Sequence, residues 1–196
     1  LYADPSYFQW IQKKDTGFTI PFTQYVKETL AAADAWHPLG LADSWYLPAE
    51  FDDLNWQDPV KRQQLMQALS ELASQLPPLS HPPALSVFFA GYSSPDELNL
   101  WYREFQQQGW RVWIQDGSGT RHLPTNQRMM YLTQLLSCPA GKHASALVIE
   151  GFNQTSAPDQ AFTAQALDAA ALAKRNAEYA QLCPSEVSVF SLRYLP

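Results

Sequence analysis

The chain has 196 residues, enough for one large domain or two small ones, and 46% of them are apolar, enough to build a core. Thirteen Lys and Arg stand against nineteen Asp and Glu, a net charge of −6, and the basic residues are scattered singly. That balance argues against a nucleic-acid backbone or an anionic membrane surface as partner, and no stretch approaches the ~20 apolar residues of a membrane span.

The opening Leu1-Tyr2-Ala3-Asp4-Pro5 reads either as the tail of a secretory signal cleaved after Ala3 or as an arbitrary chain boundary. Residues 7–25 suggest a hairpin: Tyr7, Phe8, Trp10 and Ile11 precede a polar turn at 13–17, and Phe18, Ile20 and Phe22 alternate after it. A short helix over 24–35 follows, with Tyr25, Val26 and Leu30 inward. Next comes an aromatic, Pro-punctuated stretch that holds Trp36, Trp45, Tyr46 and Trp56. Asp58-Pro59 opens a clear helix whose Leu65, Leu69, Leu72 and Leu76 make one apolar stripe. Pro77-Pro78 ends it, and the proline-rich stretch 77–83 reads as a stiff connector.

The second half alternates strand and helix. Leu85, Val87 and Phe89 form a strand that Gly91 breaks. Ser94, Pro95 and Glu97 then spell a capping box with Pro at the first helical position. Leu98, Trp101, Tyr102 and Phe105 recur at helical spacing, and Gly109 closes that helix. Trp110, Val112 and Ile114 make a strand that ends in an Asp116-Gly117 turn. A helix follows near 125–137, then a strand over 144–152, an alanine-rich helix over 158–182, and a terminal strand from Val187 to Leu192. This alternation argues for βαβ units and a mainly parallel sheet. The expected organisation is therefore α/β. Residues 1–76 form a small, aromatic-rich mixed α+β half, 77–83 the connector, and 84–196 a βαβ half.

Chemistry is sparse. A hydrolase nucleophile elbow after the 144–152 strand would need Ser where Asn153 stands. A thioredoxin-like reading of Tyr92-Ser93-Ser94-Pro95 lacks a cysteine. His37, His81, His122 and His143 are isolated, so no metal spacing is present, and no cofactor motif appears. Gly117-Ser118-Gly119 has the look of a phosphate-hugging turn but lacks the Lys and the following helix start of a P-loop, and a hairpin or connecting turn explains it more simply. Asp52 and Asp53, with Glu50, stand near Trp45, Tyr46 and Trp56. Carboxylates beside aromatic rings suit a carbohydrate site, and they equally suit the entry of the helix that follows. The aromatics are either a contact surface or the core of the small half. Cys138 and Cys183 each precede a proline and either form one disulfide in an oxidising compartment or stay as two thiols.

Residues 41–72 carry a resemblance. The run Leu41-Ala42-Asp43-Ser44-Trp45-Tyr46, followed by Lys61-Arg62-Gln63-Gln64-Leu65 opening a helix, resembles the periplasmic GfcC-like family of capsule and exopolysaccharide assembly proteins. The resemblance implies a β-grasp-like first half and a non-enzymatic role in building or exporting surface polysaccharide. The expected function is a non-catalytic, periplasmic or secreted envelope component that binds a partner protein or polysaccharide, without nucleic acid and without membrane insertion. The alternatives are a divergent hydrolase-like domain using Ser118, Ser93 or Asp116 at the carboxyl ends of the strands, and a subunit of a secretion or conjugation machine.

Overall fold

A computed structural model describes residues 19–137, 145–157 and 160–190. Helix α1 (Thr19–Trp36) comes first and runs into a short 3-10 turn at His37–Leu39. Its buried residues Tyr25, Val26, Thr29 and Ala33 fall at helical spacing. Residues 19–22 are helical where a strand over 18–22 is expected, and residue 18 lies outside the described residues. The stripe of Tyr25, Val26, Thr29 and Ala33 keeps the 3.6-residue period and buries a continuous face, which favours helix. The first strand and turn of the expected hairpin, 7–17, lie outside the described residues.

Strand β1 (Tyr46–Asp52) occupies the aromatic stretch in which no strand was expected. Trp45, Leu47, Ala49 and Phe51 are buried in strict alternation, the period of a half-buried strand. Helix α2 (Pro59–Gln75) starts where Asp58 accepts a bond from the Val60 N–H at 2.8 Å, with Pro59 at its first position. It buries Leu65, Met66, Leu69 and Leu72, each worth roughly 1.5–3 kcal/mol of transfer free energy.

Strand β2 (Ala84–Phe88) leads to helix α3 (Pro95–Gln107). Both arms of the capping box are made: the Ser94 N–H donates to Glu97 Oε2 at 2.7 Å, and the Glu97 N–H to Ser94 Oγ at 3.3 Å. Leu98, Trp101, Tyr102 and Phe105 are buried, as the periodicity demands. Strand β3 (Arg111–Gln115), helix α4 (Thr125–Leu135) and strand β4 (Ala146–Glu150) follow. All five residues of β4 are buried, as a strand covered on both faces must be.

The alanine-rich segment differs from the expected single helix. Strands β5 (Phe152–Gln154) and β6 (Ala164–Ala166) form an antiparallel pair, and helix α5 covers only Ala169–Glu178. Helix propensity of the alanines is a weak preference, and the ladder to β5 overrides it. Asp168 then sets the helix start by accepting from the Ala171 N–H at 2.7 Å. Strand β7 (Val187–Phe190) ends the described chain.

The main sheet has the order β1-β2-β3-β4-β7 and is mainly parallel, so the protein is an α/β fold. Trp113, Ile114 and Gln115 lie opposite Ala146, Leu147 and Val148, and Leu147–Glu150 lie opposite Val187–Phe190, both pairs parallel. The chain divides into two compact units, residues 1–87 with 100–112 and residues 88–99 with 113–196. In the first, Phe51 packs against Trp56 and Phe105 at 5.7 and 5.8 Å, and the Arg62 guanidinium lies 4.5 Å over the Trp101 ring. In the second, Tyr131 of α4 stacks on Phe89 at 5.0 Å and donates its hydroxyl to the Ser93 carbonyl at 2.7 Å.

Candidate functional site at the carboxyl end of β3

Parallel sheets present ligands beyond the carboxyl ends of their strands. There, in the second unit, the turn after β3 meets the end of β4. Asp116 extends the ladder through its N–H, which donates to the Val148 carbonyl at 2.9 Å. Its side chain is fully buried and accepts four bonds. Oδ1 takes the Ser118 and Glu150 N–H groups, both at 3.1 Å. Oδ2 takes the Ser118 hydroxyl at 2.7 Å and the Tyr179 hydroxyl at 2.6 Å. Arg128 of α4 donates through Nη1 to the same Tyr179 oxygen and lies over the Tyr179 ring at 5.8 Å. Its Nη2 is 3.8 Å from Glu178 Oε2. Burial, reinforced by the Asp116 charge, pushes the Tyr179 hydroxyl far above the ordinary tyrosine range. Tyr179 therefore stays a neutral donor to the carboxylate.

Glu150 ends β4 with its side chain buried. Its Oε2 accepts the Gly119 N–H at 2.5 Å and the Thr120 N–H at 2.9 Å. Arg175 of α5 donates to the Glu150 and Phe152 carbonyls and to Asn153 Oδ1. The turn itself is closed by the Arg121 N–H donating to the Gly117 carbonyl at 3.2 Å. Gly117 and Arg121 both have positive φ, 64° and 57°. Glycine adopts that conformation freely, whereas an L side chain such as Arg121's costs about 1–2 kcal/mol there.

Beside this network lies a cavity of ≈ 590 Å³. Ser118, Arg121, His122, Arg128, Arg175 and Glu178 line it, together with Pro124 and Thr125 at the start of α4. The His122 ring is set by Phe88, 5.6 Å away. Chemically, the acids behind the wall are committed to backbone and hydroxyl donors, while the wall itself is rich in guanidinium groups. Among the described residues, the Ser118 hydroxyl bonds Asp116 alone, so the base of a nucleophilic triad is not at its side. Ser93 sits at the other end of its strand–helix turn, where its carbonyl holds Tyr131.

The five ligand-contact residues expected from sequence, Trp45, Tyr46, Asp52, Asp53 and Trp56, fall in the first unit, whereas Asp116 and Ser118 are at this site. Trp45 and Trp56 are core side chains at 7% and 1% exposure, and the Trp45 ring N–H donates to the Pro77 carbonyl at 2.8 Å. Asp52 and Asp53 are buried too. Asp52 caps its own turn, taking the Leu54 and Asn55 N–H groups at 2.9 and 2.7 Å and Asn55 Nδ2 at 2.9 Å. Of the five, only Tyr46 is exposed, and its hydroxyl bonds Ser86 Oγ at 2.8 Å. Cys183 is a disulfide cysteine whose N–H donates to the Leu136 carbonyl at 3.0 Å, and Cys138 lies outside the described residues. His37 and His81 are exposed and His143 lies outside the described residues; among those described, no three His, Cys, Asp or Glu side chains group as metal ligands. No helix among the described residues is long and apolar enough to cross a membrane.

Asp52 also yields a pH prediction. Burial raises its pKa above 3.8 despite the opposing bonds from Asn55 and Leu54, with the Asp53 charge adding to the rise. A raised folded-state pKa means that the native state holds the proton more tightly than the unfolded chain. This contribution is present below pH 3.8 and is lost as pH rises through the folded-state value. Replacing Asp52→Asn removes the titration, so urea midpoints followed from pH 3.5 to 7 should shift in the variant's favour, relative to wild type, as pH rises. A constant difference across that range refutes the assignment.

No solved structure matches the chain. A curated relative, the uncharacterized protein YbcH of Escherichia coli (strain K12), is 34% identical over 203 residues, which cover 100% of this chain and 66% of the relative. The chain thus spans just under two thirds of that protein's length. A family model described as a domain of unknown function, DUF4434, matches residues 1–181. That match overturns the GfcC-like resemblance of residues 41–72, which lie wholly inside it. The residues that carried the resemblance build β1 and the start of α2, where Trp45 and Leu65 serve the core, so packing alone accounts for them. The chain belongs to the DUF4434 family.

Proposed function

We propose that this chain is a non-catalytic binding component of the cell envelope that receives a saccharide-sized ligand in the cavity at the carboxyl end of β3. The observation that carries the reading is the contrast at that place. Arg121, His122, Arg128 and Glu178 converge on open space of ≈ 590 Å³, a volume within the range of small-molecule sites. The acids beside it, Asp116 and Glu150, accept bonds from the fold's own backbone, which is the arrangement of a scaffold rather than of an acid–base pair. The disulfide state of Cys183 supports an oxidising compartment.

Thermal shift against neutral and acidic oligosaccharides, run alongside product analysis and fluorophosphonate labelling, tests this. At least one ligand class should raise the melting temperature by about 2 °C or more at saturating concentration, with no product and no label. Labelling that disappears in Ser118→Ala, or turnover of any bound saccharide, overturns the reading in favour of a hydrolase. A flat panel overturns it as well.

A further inference from the structure

Resting on that reading, we infer that the cavity recognises its ligand through a phosphate monoester, held by Arg121, Arg128 and the uncapped start of α4. Three independent features converge. The first is Arg128. It is buried to 6% exposure and lines the cavity, yet among the described residues only its Nη1 has a hydrogen-bond acceptor, the Tyr179 hydroxyl. Glu178 stands 3.8 Å from Nη2, too far for a hydrogen bond. A guanidinium offers five N–H donors in a fork that matches phosphate oxygens, and the Arg128 donors that Tyr179 does not take are open to a ligand in the cavity. Tyr179 and Asp116 behind it hold that fork in orientation.

The second feature is Arg121. It is the only non-glycine residue with positive φ among the described residues. Its side chain is exposed, lines the same cavity, and has no hydrogen bond or ion pair among those residues. A turn closing at this point would be served better by Gly or Asn, so packing does not explain the arginine. The third feature is α4, which begins at Thr125 after Pro124, with no side-chain cap on its first turn. Both residues line the cavity. Unsatisfied N–H groups and the positive end of the helix dipole at that position favour an anion.

The other charges at the cavity leave this balance intact. Arg175 is spent on the carbonyls of Glu150 and Phe152 and on Asn153. Among the described residues Glu178 is the one carboxylate on the lining, and its side chain is 43% exposed and so well solvated. It suits a hydroxyl on the body of the ligand beyond the phosphate. Asp116 and Glu150 face their own donors. A phosphorylated sugar meets each of these groups with a matching one, whereas a neutral saccharide brings no charge to Arg121.

The test is a titration of the whole chain with inorganic phosphate and with glucose 6-phosphate, by calorimetry, at constant ionic strength set with sodium chloride. Acetate, glucuronate and glucose are the comparison ligands. Glucose 6-phosphate should bind with a dissociation constant of about 1 mM or tighter, inorganic phosphate more weakly, and glucose without measurable heat. Arg121→Gln, at an exposed position, should keep the melting temperature and weaken phosphate binding at least tenfold. Arg128→Lys should keep the charge but lose the fork, with a similar loss. Phosphate binding unchanged in Arg121→Gln overturns the inference. So does acetate or glucuronate binding as tightly as its phosphate counterpart. If glucose or another neutral saccharide binds while phosphate does not, the phosphate inference falls and the binding reading stands; if no saccharide or anion binds, both fall.

Discussion

Replacing Gly119→Ala should destabilise the protein by about 3 kcal/mol, at the upper end of what overpacking costs in a close-packed site. A methyl group there would stand 2.5 Å from the Phe152 carbonyl oxygen, 2.9 Å from Glu150 Oε2 and 2.9 Å from the Phe152 ring. The first of these is backbone and cannot swing aside. Moving Gly119 away instead breaks its N–H bond to Glu150 and frees the Gln154 N–H that its carbonyl accepts at 2.9 Å. Gly109 provides the comparison. An added Cβ meets nothing within 4 Å there, and only its φ of 89° penalises alanine, so Gly109→Ala should cost about 1 kcal/mol. Urea unfolding of both variants checks the ordering. If Gly119→Ala proves no worse than Gly109→Ala, the close approach of the β3 turn to β5 is refuted. The turn that carries Gly119 also carries Ser118 and Arg121, so the same variant should weaken anything bound in the cavity.

How far the sequence foretold this depends on the range of the interactions involved. Ser94, Pro95 and Glu97 announce α3 because a capping box is complete within four residues. Asp58-Pro59 announces α2 for the same reason. Strand β1 was hidden although Trp45, Leu47, Ala49 and Phe51 alternate, because the aromatic and proline content of that stretch masked the period. The helix expected across 158–182 failed at the opposite scale: alanine favours helix locally, but a ladder to Phe152–Gln154, formed by residues a dozen positions away, claims Ala164–Ala166. The candidate site was the least legible. Asp116 meets Tyr179 across 63 positions, and Arg128 meets it across 51, separations that no spacing rule joins. Gly117-Ser118-Gly119 has neither a lysine nor a helix start directly after it, so its spacing does not spell a phosphate loop. Arg121, His122 and the helix start at Thr125 meet Ser118 only at the cavity wall that the fold builds.

Removing the carboxylate in Asp116→Ala should cost about 3–5 kcal/mol, the range for stripping one partner from a buried charged network. Four donors lose their acceptor at once: two backbone N–H groups, the Ser118 hydroxyl and the Tyr179 hydroxyl. Each belongs to a buried residue, so each keeps a share of its desolvation penalty. The Arg128 guanidinium, tied to the carboxylate through Tyr179, also loses the negative charge that compensates it. Asp116→Asn should fall between the variant and wild type, because its carbonyl oxygen still serves the two N–H groups while its amide confronts the two hydroxyls. Tyr179→Phe should cost about 1–2 kcal/mol, since Asp116 keeps three of its four bonds. The double variant Asp116→Ala, Tyr179→Phe should then cost less than the sum of the singles, because the second change removes a donor that the first had already orphaned. Equilibrium denaturation of the four proteins measures this. Full additivity, or an Asp116→Ala protein as stable as wild type, would show that the four bonds carry little net stability. The carboxylate would then be free for the acid–base work that a scaffold role denies it.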